Sequence, residues 1–221
     1  MPIVAVVRSG CTDFDEQDRI QGTLELPLNQ RGRDQLQQIV EAVGMLPVSV
    51  LYTEPVDPAR STAEAIGEQL DLPVRESEEL RNMSHGLWQG LSIEEVRRKS
   101  PRIFRHWLDS PETIRPPEGE MVSEVMERIV RVLRRPLKRG TSFAVVTREP
   151  LASLVGCVIT GSRPELERVA GCSRADELVA VYETNGNVPA LDPRQPWRTE
   201  PAAGCRQPTA GKNDRGTDRG A

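Results

Sequence analysis

Short runs of β-branched and other apolar residues, each closed by turn residues and separated by longer stretches of helical spacing, constrain this chain more than any other feature. The runs are Ile3 to Val7, Val48 to Thr53, Phe143 to Thr147 and Leu178 to Thr184. Helical spacing covers Arg31 to Val43, Pro58 to Leu70, Ser92 to Lys99, Glu120 to Arg134 and Leu151 to Ile159. Within the fourth stretch, Val122, Val125, Met126, Ile129, Val130 and Leu133 make an apolar stripe at three-four intervals. Strand-like runs alternating with helices predict a three-layer α/β fold, a mostly parallel sheet with helices on both faces.

The periodicity ends after Thr184, which puts one domain at residues 1–186 and a tail at residues 187–221. The tail is rich in Gly, Pro, Asn, Arg and Thr. With so little to bury it is expected to be disordered, and Trp197 is its one sticky side chain. Lys and Arg total 29 against 33 acidic residues, a formal charge of -4, which gives no basis for a nucleic-acid or anionic-membrane surface. The apolar N-terminal run is interrupted by Arg8 and is too short for a signal or a membrane span, so a cytoplasmic protein is expected. Four cysteines, at positions 11, 157, 172 and 205, form no CxxC pair. They are expected to be reduced thiols, with no metal site and no cofactor.

Ligands of open α/β sheets bind beyond the carboxyl ends of the strands. Arg8-Ser9-Gly10 follows the first run, and Thr147-Arg148-Glu149 closes the third.

The segments around these ends carry a resemblance. They are Arg8-Ser9-Gly10-Cys11-Thr12, Arg19-Ile20-Gln21-Gly22, Leu26-Pro27-Leu28 and Arg31-Gly32. Further on come Leu51 to Pro55 with Ala59 and Thr62-Ala63-Glu64, then Leu80-Arg81, Gly86-Leu87-Trp88-Gln89-Gly90-Leu91 and Trp107. Pro116-Pro117-Glu118-Gly119-Glu120 and Val145-Val146-Thr147 complete the series. In this order and spacing the chain resembles the histidine phosphatase superfamily, the phosphoglycerate-mutase-like proteins. The resemblance implies a pocket in which a neutral imidazole attacks phosphorus, arginines hold the equatorial oxygens and an acid protonates the leaving oxygen.

Carried over position by position, the chemistry is largely gone. Where the family has Arg-His-Gly this chain has Arg8-Ser9-Gly10, and the second histidine falls at Arg148, followed by Glu149 instead of glycine. The family element Ser-Pro-Leu-x-Arg-Ala, aligned on Pro55 and Ala59, puts Pro58 at the arginine position, with Arg60 two residues further on. The acidic position falls at Asn82, an amide with no proton to give. Of the five central groups only Arg8 remains, so the expectation is a pseudophosphatase with no catalytic residue.

Substitute nucleophiles are poorly supported. Ser9 lacks a neighbouring base, because Arg148 cannot accept a proton, and nothing specifies the aim of Cys11. Cys157 to Arg163 matches the bare C-x5-R spacing of cysteine phosphatases, but its cysteine belongs to an apolar helix. Of the two histidines, His85 lies in a segment that borders the pocket in relatives and is placed to contact a ligand, and His106 reads as helix packing or surface.

Three functional readings stay open. In the first, Arg8, Ser9, Arg19, Arg60 and Arg148 bind a phosphorylated or other anionic small molecule without turnover, and any protein partner is unknown. In the second, the chain is an active phosphohydrolase or mutase with an unconventional nucleophile. In the third, Arg148 pairs with Glu149, Glu54 or another acid and plugs the pocket, which leaves a structural or interaction protein.

Overall fold

The structure, a computed structural model, describes residues 1–164, 171 and 177–185. The predicted tail, with Trp197, lies outside the described residues. Five strands form one sheet in the order β3-β2-β4-β1-β5: β1 is Ile3–Arg8, β2 Leu51–Thr53, β3 Val74–Glu76, β4 Phe143–Thr147 and β5 Val179–Glu183. The pairs β1–β4, β2–β4 and β2–β3 are parallel, and β5 closes the edge antiparallel to β1.

Both faces of the sheet are buried, which explains why its central strands are continuous apolar runs. Val4 and Val6 of β1, with Phe143 and Val145 of β4, face α6 (Val122–Arg139) and α7 (Leu151–Thr160). The alternate residues Ala5, Val7, Ala144 and Val146 face α2 (Gln30–Gly44) and α3 (Ala59–Leu70). The two-residue side-chain period of a strand thus divides the apolar residues between two cores. Val122, Val125, Met126, Ile129 and Leu133, the stripe read from the sequence, are all buried against the sheet.

Several elements depart from expectation. β2 begins at Leu51 rather than Val48, because residues 49 and 50 meet β4 only through isolated bonds, Ser49 N–H to the Ser142 carbonyl and Ala144 N–H to the Val50 carbonyl. β3 was not expected, since three residues carry no readable period. α6 continues through Pro136 to Arg139, beyond Arg134, because Leu133, Pro136 and Leu137 stay buried. Two helices have no counterpart in the periodicity: α1 (Asp13–Glu16) is one capped turn, and α5 (Pro101–Asp109) follows directly on α4 (Ile93–Lys99).

Two glycines are required by contact. A Cβ on Gly32 would lie 2.1 Å from the Cys11 carbonyl oxygen, so α2 can press against the loop after β1 only with glycine there. Gly86 combines a positive φ of 51° with a would-be Cβ 2.0 Å from the Pro117 oxygen. This explains why Gly86-Leu87-Trp88 and Pro116-Pro117-Glu118 occur together.

Candidate functional site

β1 and β4 are adjacent and in register, Arg8 beside Thr147, so the polar residues after them arrive side by side at the carboxyl end of the sheet. Arg8, Ser9, Cys11, Asp15, Arg148, Glu149 and Gly171 line a narrow cleft there.

Both arginines are occupied internally. Arg148 Nε donates to Glu54 Oε1 at 3.0 Å and its second amino group donates to Glu54 Oε2 at 3.1 Å, a two-pronged pair with side-chain exposures of 6% and 0%. A third donor reaches the Leu24 carbonyl at 2.8 Å. Arg8 Nε donates to Glu149 Oε1 at 2.5 Å, and its Nη1 donates to the Glu177 carbonyl at 2.8 Å. The other Glu149 oxygen accepts from Ser153 N–H at 3.2 Å and from the Ser153 hydroxyl at 2.7 Å. Glu149 therefore caps the first turn of α7 while neutralising Arg8, two roles that an oxyanion bound there would also perform.

Burial raises the Glu54 carboxyl above its ordinary value, with Arg148 pulling the other way. Burial also raises Asp15, and hydrogen bonds from the Thr12 N–H and hydroxyl, both 2.7 Å, oppose it. No acid in the cleft is thus left as an unengaged base, the condition that activation of Ser9 requires.

Asn82, at the family's acid position, is fully buried and spans four segments. Its Nδ2 donates to the Gly22 and Glu149 carbonyls, its Oδ1 accepts from the Met83 and Leu151 N–H groups, and its own N–H donates to Glu54 Oε2. These bonds tie the segments at Gly22, Glu54, Met83 and Glu149 to Leu151 together.

The structure gathers three of the five residues expected to bind ligand. Arg8, Ser9 and Arg148 line the cleft, and Arg19 and Arg60 do not. Arg19 follows a one-turn helix that carries it toward the Gly90 carbonyl, 2.7 Å away, and Glu95. Arg60 lies on the open side of α3, where it pairs with Asp57 and Glu25 at 3.5 and 3.7 Å; Pro58 begins that helix as its cap. His85 does not border the cleft. It is fully buried edge-on against Trp107, with ring centroids 5.5 Å apart, and burial lowers its pKa to about 4. His106 is exposed on α5, and Cys157 is buried within α7, where its thiol donates to the Arg163 carbonyl at 3.4 Å. Cys11 corrects the expectation of reduced thiols: it is disulfide-bonded. The spacing of four cysteines gave no sign of this, since bridging depends on proximity in the fold.

Sequence reading missed Asp15 as a cleft residue and Asn82 as a junction. Glu54 is one of the acids that the sequence sets against Arg148, and the two-pronged pair selects it.

A sequence profile of the histidine phosphatase superfamily (branch 1) matches residues 4–188. The chain belongs to the histidine phosphatase superfamily. It is 27% identical over 185 residues to phosphoserine phosphatase 1 of Hydrogenobacter thermophilus, covering 83% of this chain and 88% of that one. A probable phosphoglycerate mutase of Escherichia coli is 24% identical over 203 residues, 86% and 94% of the two chains. Among solved structures, the vanadate (VO3) complex of a mycobacterial glucosyl-3-phosphoglycerate phosphatase superposes with a TM-score of 0.73 at 21% identity, covering 83% of this chain and 91% of that one. That likeness is one of fold. Among the described residues no group of three or more His, Cys, Asp or Glu side chains is arranged to hold a metal ion, and no helix is long and apolar enough to cross a membrane.

Proposed function

We propose that this member of the superfamily is a pseudophosphatase whose oxyanion cleft is closed by its own carboxylates, so that it acts through contacts with other molecules rather than by phosphoryl transfer. The observation that carries this reading is the buried two-pronged pair between Arg148 and Glu54. The residue at the second-histidine position is a permanent cation, and its donors are spent on a carboxylate of the same chain.

Three features support it. Ser9 replaces the nucleophile; its N–H donates to the Thr147 carbonyl at 2.7 Å, and no histidine lies among the cleft residues. Asn82 replaces the acid and is fixed by hydrogen bonds to backbone. The Glu149 carboxylate sits on Arg8, which leaves a phosphate to compete with a tethered anion of high local concentration. The same pairs favour the plugged cleft over an open anion site, because Arg8 and Arg148 do not face each other uncompensated.

The test is turnover of p-nitrophenyl phosphate, together with a search for acid-labile phosphohistidine after incubation with labelled phosphoesters. The proposal expects neither above background. Turnover abolished by Ser9→Ala would establish an unconventional nucleophile and end this reading.

A further inference from the structure

The overall charge of -4 conceals a concentrated cationic surface. From residue 97 to residue 105 the chain carries Arg97, Arg98, Lys99, Arg102 and Arg105 with no acid between them. All five are exposed across the junction of α4 and α5, and among the described residues none has an ion pair or a side-chain hydrogen bond.

Complementing a helix dipole accounts for only part of this. Arg97, Arg98 and Lys99 occupy the last turn of α4, where a cation is favoured. Arg102 lies in the first turn of α5, where the dipole disfavours a cation, and no acid shares that turn. Phe104 and Trp107 anchor α5 in the core, which turns Arg102 and Arg105 outward on the opposite face. By contrast, the cations near the end of α6 all complement their dipole, and Arg131 is already paired with Glu79 at 2.7 Å.

We infer that the α4–α5 surface docks an acidic polypeptide segment of another protein. Charge complementarity selects the class. Residues 185–221 of this chain carry six basic and four acidic residues, so its own C-terminal segment has the wrong sign to occupy the surface. The aromatic rings of α5 are buried, which leaves no platform for stacking nucleic-acid bases. Its exposed apolar side chains, Ile103 and Leu108, are only two, too little apolar surface for insertion into a bilayer. Exposed Leu87 and Ile103, 61% and 43% accessible, supply apolar contacts for leucines between the partner's carboxylates. Trp88, the residue after Leu87, packs on Phe104 of α5. The inference is independent of whether the cleft is active.

The experiment is fluorescence anisotropy on the full chain, with a labelled peptide of glutamates bearing a leucine at every fourth position and a glutamine version as control. Wild type should bind the glutamate peptide at least about tenfold more tightly, with affinity falling as salt is raised. The triple variant Arg98→Glu, Arg102→Glu, Arg105→Glu should raise Kd by about tenfold or more, while Arg134→Glu with Arg135→Glu changes it less than about threefold. Arg102→Ala with Arg105→Ala provides a milder second variant should the triple reversal lower the melting temperature. Equal binding of the two peptides, equal losses in the α6 variant, or tighter binding of single-stranded DNA or phosphatidylserine vesicles would each overturn the assignment.

Discussion

Two of the regions in which the molecule buries polar side chains treat them in opposite ways. At the carboxyl end of the sheet, Arg148 and Glu54 answer each other with two hydrogen bonds, and a third Arg148 donor reaches the Leu24 carbonyl. Beneath α5, His85 and Trp107 touch edge to face, and His85 Nδ1, His85 Nε2 and Trp107 Nε1 are buried with no side-chain hydrogen-bond partner among the described residues. An uncompensated buried charge costs far more than an unanswered neutral nitrogen. The first region therefore survives only as a matched pair, and the second survives only while His85 stays neutral.

The largest effect should come from unmatching the pair. Glu54→Ala leaves Arg148 buried without a counter-ion and is expected to lower stability by about 3–5 kcal/mol in chemical denaturation. Replacing both residues, Glu54→Ala with Arg148→Leu, should recover most of that loss. If the single variant costs less than about 1 kcal/mol, Arg148 is reaching water and the contrast between the two regions collapses.

Acid should act on the second region. The folded pKa of His85, about 4, lies below its ordinary value near 6.5, so between those limits the unfolded chain binds a proton that the folded chain refuses. Stability should fall as pH drops through that window, by roughly 3 kcal/mol in total. Glu54 and Asp15 work the other way, because burial raises their pKa values and protonation favours the fold. The informative quantity is thus the difference between wild type and His85→Phe. Urea titrations at neutral pH and near pH 4.5 should show the variant losing less; identical losses would mean that His85 is hydrated.

A smaller loss with a gain of binding is expected from Glu149→Ala, which removes the partner of Arg8 and the cap of α7 together. About 1–3 kcal/mol should be lost. Phosphate, compared with chloride at equal ionic strength, should raise the melting temperature of the variant and not that of wild type. A wild-type response as large as the variant's would show that Glu149 does not hold the anion's place. The smallest effect belongs to Arg60, whose long, exposed ion pairs predict a change within about 0.5 kcal/mol for Arg60→Ala and no change in any phosphate response.

The fold was legible because its signals are local and repeated. Val4 to Val7 and Phe143 to Val146 read as buried strands from composition alone, and the stripe in α6 follows from residues three and four apart. α5 escaped because its nine residues carry only two core side chains, Phe104 and Trp107. At the cleft, Arg8, Ser9 and Arg148 could be placed from their positions in ordered motifs. His85, Arg19 and Arg60 were misplaced because one turn of helix or a 3₁₀ turn decides where a side chain points, and motif spacing does not carry that rotation.

By itself, then, the sequence determined the α/β layering and the family motifs, because these depend on residue type and order. Tertiary structure alone decided which acid answers which arginine. Arg148 is adjacent in sequence to Glu149 yet pairs with Glu54, 94 residues away, while Glu149 turns to Arg8 at a separation of 141. Successive residues beyond a strand point in opposite directions, so neighbours in the chain are kept apart and partners are supplied by the strands on either side.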